Sequence, residues 1–267
     1  MTSENRIGLQ AVRTAALEDI PALLLSSTAE ILQTLIDNPC FDETHVCLLL
    51  ERKELPGTLL EEISKRKNWR ASYRVRRALA AHPHTPRLVA MRLLRELHLM
   101  DLVRISLLPA SSVELRRLAD EIVLKQLPQL PLGQRMVLAR RGPARVVAGL
   151  IAHGPEHVAR IALDNAFLTE SQLLKTLAKD SLPARIVAAV ATHQKWSKLV
   201  NIRVALLRHA HAPAESVAAF VPDLPRRELE DLLGLSRLPG SVRSQLREEL
   251  ARRETRGSTK TEGDVTT

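Results

Sequence analysis

The chain has 267 residues, 45% of them hydrophobic but only 2% aromatic, with a net charge of +9. Its apolar residues are mostly Leu, Ala and Val, which favour helices over the β-branched and aromatic surfaces of sheets, so strands are not expected. Two cysteines, Cys40 and Cys47, are too few for a secreted disulfide framework.

In chain order, the N-terminus from Met1 to Gln10 carries no basic-then-apolar leader pattern. No stretch reaches the roughly 18 apolar residues of a membrane span. A cytoplasmic protein with no membrane association is the expectation. Residues 1–8 read as a flexible start. From residue 9 to 254 short apolar-periodic segments alternate with breaks at Pro39, Pro56, Pro83, Pro109, Pro128, Pro143, Pro155, Pro183, Pro213, Pro225 and Pro239. Proline is tolerated where a helix starts and disrupts its interior, so each break separates two helices of two or three turns.

The segments resemble one another. Val75-Arg-Arg-Ala-Leu-Ala-Ala-His82-Pro-His84-Thr-Pro86 aligns with Ile202-Arg-Val-Ala-Leu-Leu-Arg-His209-Ala-His211-Ala-Pro213. Looser copies at Leu35–Pro39 and Ala162–Ala166 place Asn38 and Asn165 where the first His stands. Asn38 and His82 are 44 residues apart, as are Asn165 and His209, and Pro83 and Pro109 are 26 apart. A unit in the twenties, sometimes doubled, is the length of one helical hairpin. Helices this short are marginal alone and must bury an apolar stripe against neighbours. The expected fold is therefore all-α, a solenoid of roughly seven or eight stacked hairpins in one domain over 9–254. Residues 255–267 are polar, lack periodicity and read as a disordered tail.

The pattern Val-Arg-x-Ala-Leu-x-x-His-Pro-x-Thr-Pro at 75–86 resembles leucine-rich-repeat-variant and HEAT-like bacterial repeats, and the stretch 135–166 is similar to a bacterial α-helical family. The resemblance covers most of residues 30–215 and implies an α-solenoid with a binding or scaffolding role. Some leucine-rich-repeat-variant proteins hold an iron–sulfur cluster on a set of cysteines. With two cysteines here, that feature does not carry over, and no cofactor is expected.

Charge marks the candidate binding surface. No Asp or Glu occurs from Ile63 to Arg95, a span dense in Arg. Lys65, Arg66, Arg70, Arg74 and Arg77 form the candidate patch. On one continuous helix, Arg66, Arg70, Arg74 and Arg77 make a stripe flanked by Trp69 and Tyr73. A secondary basic cluster, Arg135, Arg140, Arg141 and Arg145, flanks the break at Gly142-Pro143. Guanidinium groups of this kind recognise carboxylates or phosphates. An acidic protein is the first partner expected, and nucleic acid, gripped through its backbone with rings stacking on bases, is the alternative.

The pairs His82/His84 and His209/His211 sit at helix breaks. Asn replaces the first His in the sister copies, which fits hydrogen bonding of orphan backbone groups better than metal ligation. Cys40, His45 and Cys47 fall short of the four ligands of a structural zinc site. No P-loop, nucleophile elbow or His-Glu-x-x-His motif is present. HEAT-like DNA glycosylases are a distant alternative, but Phe41, Trp69, Tyr73, Phe167, Trp196 and Phe220 are scattered. Catalysis is not expected.

Overall fold

The computed structural model describes the backbone of residues 10–26 and 28–262, and side chains up to residue 255 with Ser26 and Ser27 excepted. Every regular element among the described residues is helical. The chain divides into two compact units, Met1–Gln126 and Leu127–Thr267, where the sequence suggested one continuous repeat domain. The N-terminal segment 1–8 lies outside the described residues.

In unit 1 a helical turn at 10–13 precedes α1 (Ile20–Ser26), α2 (Ala29–Leu35), α3 (Glu43–Leu49), α4 (Gly57–Lys65), α5 (Lys67–Ala71), α6 (Tyr73–Ala81), α7 (Arg87–Leu94), α8 (Leu99–Leu107) and α9 (Val113–Gln126). Unit 2 contains α10 (Leu132–Arg141), α11 (Ala144–His153), α12 (Glu156–Leu163), α13 (Glu170–Leu177), α14 (Ala184–Ala191), α15 (Val200–Arg208), α16 (Ala214–Phe220), α17 (Arg226–Leu233) and α18 (Gly240–Glu262), with short 3-10 turns at Leu127–Gln129, Trp196–Lys198 and Val221–Asp223. Residues 255–262 therefore continue α18, where a disordered tail was expected. Their composition is polar, but they extend a helix already nucleated by its packed N-terminal turns, which needs no apolar face of its own. Residues 263–267 lie outside the described residues.

The breaks have the expected physical origin. Pro56, Pro86, Pro155, Pro183 and Pro213 stand at N-cap positions with extended ψ, each followed at once by a helix. Elsewhere a side chain caps. The Asp42 carboxylate accepts from the His45 N–H while His45 Nδ1 accepts from the Asp42 N–H, and the Thr169 hydroxyl accepts from the Gln172 N–H. Gly142 ends α10 by close approach: its N–H reaches the Leu138 carbonyl at 2.7 Å, and a Cβ there would lie 2.4 Å from that oxygen.

Within each unit the helices pack on their sequence neighbours and on the next helix of the same layer. In unit 1, α1, α3, α6 and α8 pack in series, as do α7 and α9. In unit 2, α11, α13, α15 and α17 form one series, and α10, α12 and α14 another. Leu, Ile, Val and Ala fill the space between layers.

The two units share one plan. The helix starts Ala29, Glu43, Gly57, Tyr73, Arg87, Leu99 and Val113 all recur 127 residues later, at Glu156, Glu170, Ala184, Val200, Ala214, Arg226 and Gly240. The polar ties recur at the same offset. Asn38 Nδ2 donates to the carbonyls of Val12 and Ala15, and Asn165 Nδ2 to those of Ala139 and Gly142. His82 and His209 contact the carbonyls of Arg52 and Lys179 through Nε2. Each of these four side chains also accepts the N–H two residues on, from Cys40, Phe167, His84 and His211. All four are at least nine-tenths buried. The Asn-for-His exchange noted in the sequence is thus one device built twice: a turn residue ties its own loop and the preceding repeat together.

Candidate docking groove

The candidate patch does not form one helical stripe. The backbone leaves helical geometry at Arg66 and again at Ser72, where ψ is 118° and 124°. Lys65 therefore ends α4, Trp69 and Arg70 belong to α5, and Tyr73, Arg74 and Arg77 belong to α6. The Ser72 hydroxyl causes the second break by accepting the Val75 N–H and starting a new helix.

Much of the patch is already engaged. Arg66 reaches Asp37 and, at 2.8 Å, Glu62, and it donates to the Ile36 carbonyl. Burial lowers the guanidinium pKa, but the hydrogen bonds it donates to Glu62 and Asp37 outweigh that and raise it. Burial likewise tends to raise the pKa of Asp37, and the Arg66 and Arg13 guanidinium groups overcome it and hold the carboxyl below its usual range. Lys65 pairs with Glu61 at 2.8 Å. Arg70 is 4.0 Å from Glu96, whose carboxylate is taken by Arg76 at 2.9 Å.

The rings are engaged too. Trp69 is buried, edge-on to Phe41 with centroids 5.8 Å apart and beneath Arg66 at 4.9 Å. Tyr73 stacks on His98 at 4.3 Å, and its hydroxyl donates to Asp101 while accepting the His98 N–H. Burial and that carboxylate push the phenol pKa up.

Arg74 and Arg77 remain. They project into a groove of about 400 Å³ between α3, α6 and α8. Its floor includes Leu50, Ala78 and Ile105, and its rim carries Lys53, Arg74, Arg77 and Arg104 against Glu51 and Asp101. Asp101 is committed to Tyr73, and Arg77 approaches it only to 3.9 Å. Cys47 also lines the groove. Burial raises its pKa against the opposing pull of Arg74 and Arg77 and keeps it a thiol.

Lys53 and Arg104 were not among the residues singled out from sequence. The signal that finds Arg104 is the repeat period, whereas Lys53 is followed 27 residues later by Ala80 and is brought to the groove only by the fold. Cys47, Arg74 and Asp101 stand 27 residues apart, as do Leu50, Arg77 and Arg104. Side chains at one position of successive repeats line a common surface, and these two triplets are such positions.

The secondary cluster lies in unit 2 and is not a single site. Arg135 donates to the carbonyls of Leu130 and Pro128, both at 2.8 Å, closing the turn before α10. Arg140 and Arg141 are exposed in the last turn of α10, where positive charge complements the helix dipole. Arg145 lies half-buried in the first turn of α11. Cys40 is exposed, and His45 Nδ1 is occupied by its capping bond.

Among the described residues no helix is long and apolar enough to cross a membrane. No family model matches the chain, and no curated protein or solved structure shows significant similarity to it.

Proposed function

We propose that the protein is a non-catalytic interaction scaffold of helical-repeat type, each unit a solenoid-like stack of short hairpins, that binds an acidic partner protein. The reading includes its likeness to HEAT-like and leucine-rich-repeat-variant repeats. It also includes a cytoplasmic setting, in which the thiols of Cys40 and Cys47 stay reduced. Two supports come from packing: same-layer helices stack in series within each unit, and buried Asn and His side chains tie one repeat to the next.

The observation that carries the reading is how the basic patch is divided. Trp69 is buried and the Tyr73 ring is stacked on His98 at 4.3 Å, so neither ring is a free platform for bases, while Arg74 stays exposed and enters no ion pair or hydrogen bond among the described residues. Nucleic-acid binding without stacking would rest on phosphate contacts alone and be lost steeply with salt. An acidic protein surface needs only complementary charge and a fitting shape.

The test is fluorescence anisotropy on the full chain at near-physiological salt. The probes are a labelled acidic peptide, duplex DNA and single-stranded RNA. The expected result is saturable peptide binding with little nucleic-acid binding. Tight nucleic-acid binding with a steep salt slope, and none of the peptide, would overturn the reading.

A further inference from the structure

The groove of unit 1 has a counterpart in unit 2 that acts as an internal reference. A groove of about 450 Å³ is lined there by Leu177, Ala205, Asn201, Val204, Asp180 and Glu228, among others. These residues stand 127 positions after Leu50, Ala78, Arg74, Arg77, Lys53 and Asp101. The cavity and its apolar floor are therefore products of the repeat plan. The cations are not. Lys53 becomes Asp180, Arg74 becomes Asn201, Arg77 becomes Val204, and Arg104 corresponds to Asp231, while the carboxylate at Asp101 is kept as Glu228. The unit-2 groove has one cation in its lining, Arg208, at the position of Ala81, so the packing of such a unit does not require positive charge at the four positions that carry it in unit 1.

Resting on the acidic-partner reading, we infer that the groove between α3, α6 and α8 is the docking site, and that it takes an acidic segment of the partner protein in which carboxylates flank an aliphatic side chain. The chemistry follows from the lining. Four cations face two carboxylates, and one of those, Asp101, is held by the Tyr73 hydroxyl. Arg74 and Arg104 are exposed and make no ion pair or hydrogen bond among the described residues, so an incoming carboxylate displaces no internal partner from them. Leu50, Ala78 and Ile105 below offer apolar contact to the side chain between two acidic ones. A volume of about 400 Å³ suits one or two side chains and no folded domain. Planar guanidinium groups on two adjacent helices can each engage a carboxylate in a bidentate manner.

The experiment uses the full chain and a labelled short peptide of alternating Glu and Leu, read by fluorescence anisotropy and titration calorimetry. Wild type should bind one peptide. Arg74→Glu with Arg104→Glu should weaken binding about tenfold or more at unchanged helicity. Arg140→Glu with Arg141→Glu changes the net charge equally on exposed positions of unit 2 and should leave affinity within about twofold. The exposed triple variant Asp180→Lys, Asn201→Arg, Asp231→Arg rebuilds the cationic rim in unit 2 and should raise the stoichiometry to two. If wild type binds and both charge reversals weaken it equally, the groove assignment is overturned while the acidic-partner reading stands. If wild type does not bind the peptide at all, both fall. If duplex DNA competes fully for the same cations at near-physiological salt, the ligand is a phosphate backbone and the protein-segment assignment is overturned.

Discussion

Unit 1 and unit 2 share much of their interior and differ on the same surface. Several residues with a buried polar task or a large buried ring are retained, although buried Thr85 and Ser106 give way to Ala212 and Leu233. Asn38 and Asn165, His82 and His209, and Trp69 and Trp196 stand in equivalent places. So do the pairs Arg76–Glu96 at 2.9 Å and Arg203–Asp223 at 3.1 Å. The groove rims are where the units part. A buried polar group left without its partner costs about 1–3 kcal/mol, whereas exposed charges change at little cost to stability. The interior is thus fixed by packing, and the rim is free to be set by what it meets.

Substitutions at equivalent positions test which features the two units hold in common. The largest effect is expected at the tryptophans. Trp196 is 1% exposed and its indole N–H donates to the Leu163 carbonyl at 2.8 Å. Trp69 is 8% exposed and packs through its ring on Phe41 and Arg66. Trp196→Ala and Trp69→Ala should each cost about 3–5 kcal/mol in urea unfolding, with Trp196→Ala the worse by about 1 kcal/mol for its lost hydrogen bond. Equal costs would mean that the indole bond adds nothing to packing.

The asparagines come next. Asn38→Ala and Asn165→Ala each strip partners from two carbonyls and one N–H, and each should cost about 1–3 kcal/mol. The two losses should agree within about 1 kcal/mol. A large loss at one site and none at the other would show that the ties are not equivalent.

A pH effect follows from His82. Burial depresses its pKa below the ordinary histidine value of about 6.5, and Nδ1 accepts the His84 N–H, which requires the ring to be neutral. The unfolded chain therefore takes up the proton first. This contribution to stability is complete above about pH 6.5 and is lost as the pH falls toward the depressed folded value. His82→Asn keeps the same pair of bonds available, as Asn38 and Asn165 make them, without the titration. Urea midpoints at about pH 7 and about pH 5.5 should differ less in this variant than in wild type.

The smallest effect concerns Asp37 and Asp164. Asp37 meets Arg66 and Arg13, while Asp164 meets His193 at 3.1 Å. These pairs are partly exposed, so Arg66→Met should cost no more than about 1 kcal/mol, with high salt narrowing the difference from wild type. A cost well above that would place Arg66 among the structural ties, through its bond to the Ile36 carbonyl and its position over Trp69.

The helices and their breaks were legible in the sequence because proline and capping residues act within one turn of the chain. The turn roles of His82, His209, Asn38 and Asn165 were legible too, since copies of one segment exchanged side chains able to make the same bonds. The basic patch was misread at Ser72. A run of Arg at helical spacing looks continuous, but a serine hydroxyl that accepts the N–H three residues on ends one helix and begins another.

That the chain is helical and built from similar segments follows from local preference and from apolar spacing along it. Which arginines are free was decided only by the tertiary structure. Arg66 and Arg76 are neighbours of Arg74 in the chain, yet they meet Asp37 and Glu96 from the turns that follow α2 and α7 and are neutralised there. Arg74 joins Lys53 and Arg104, which are distant in sequence, around one groove. Coulombic partnership depends on separation in space, and charge pattern along a chain carries that information only after the helices have packed.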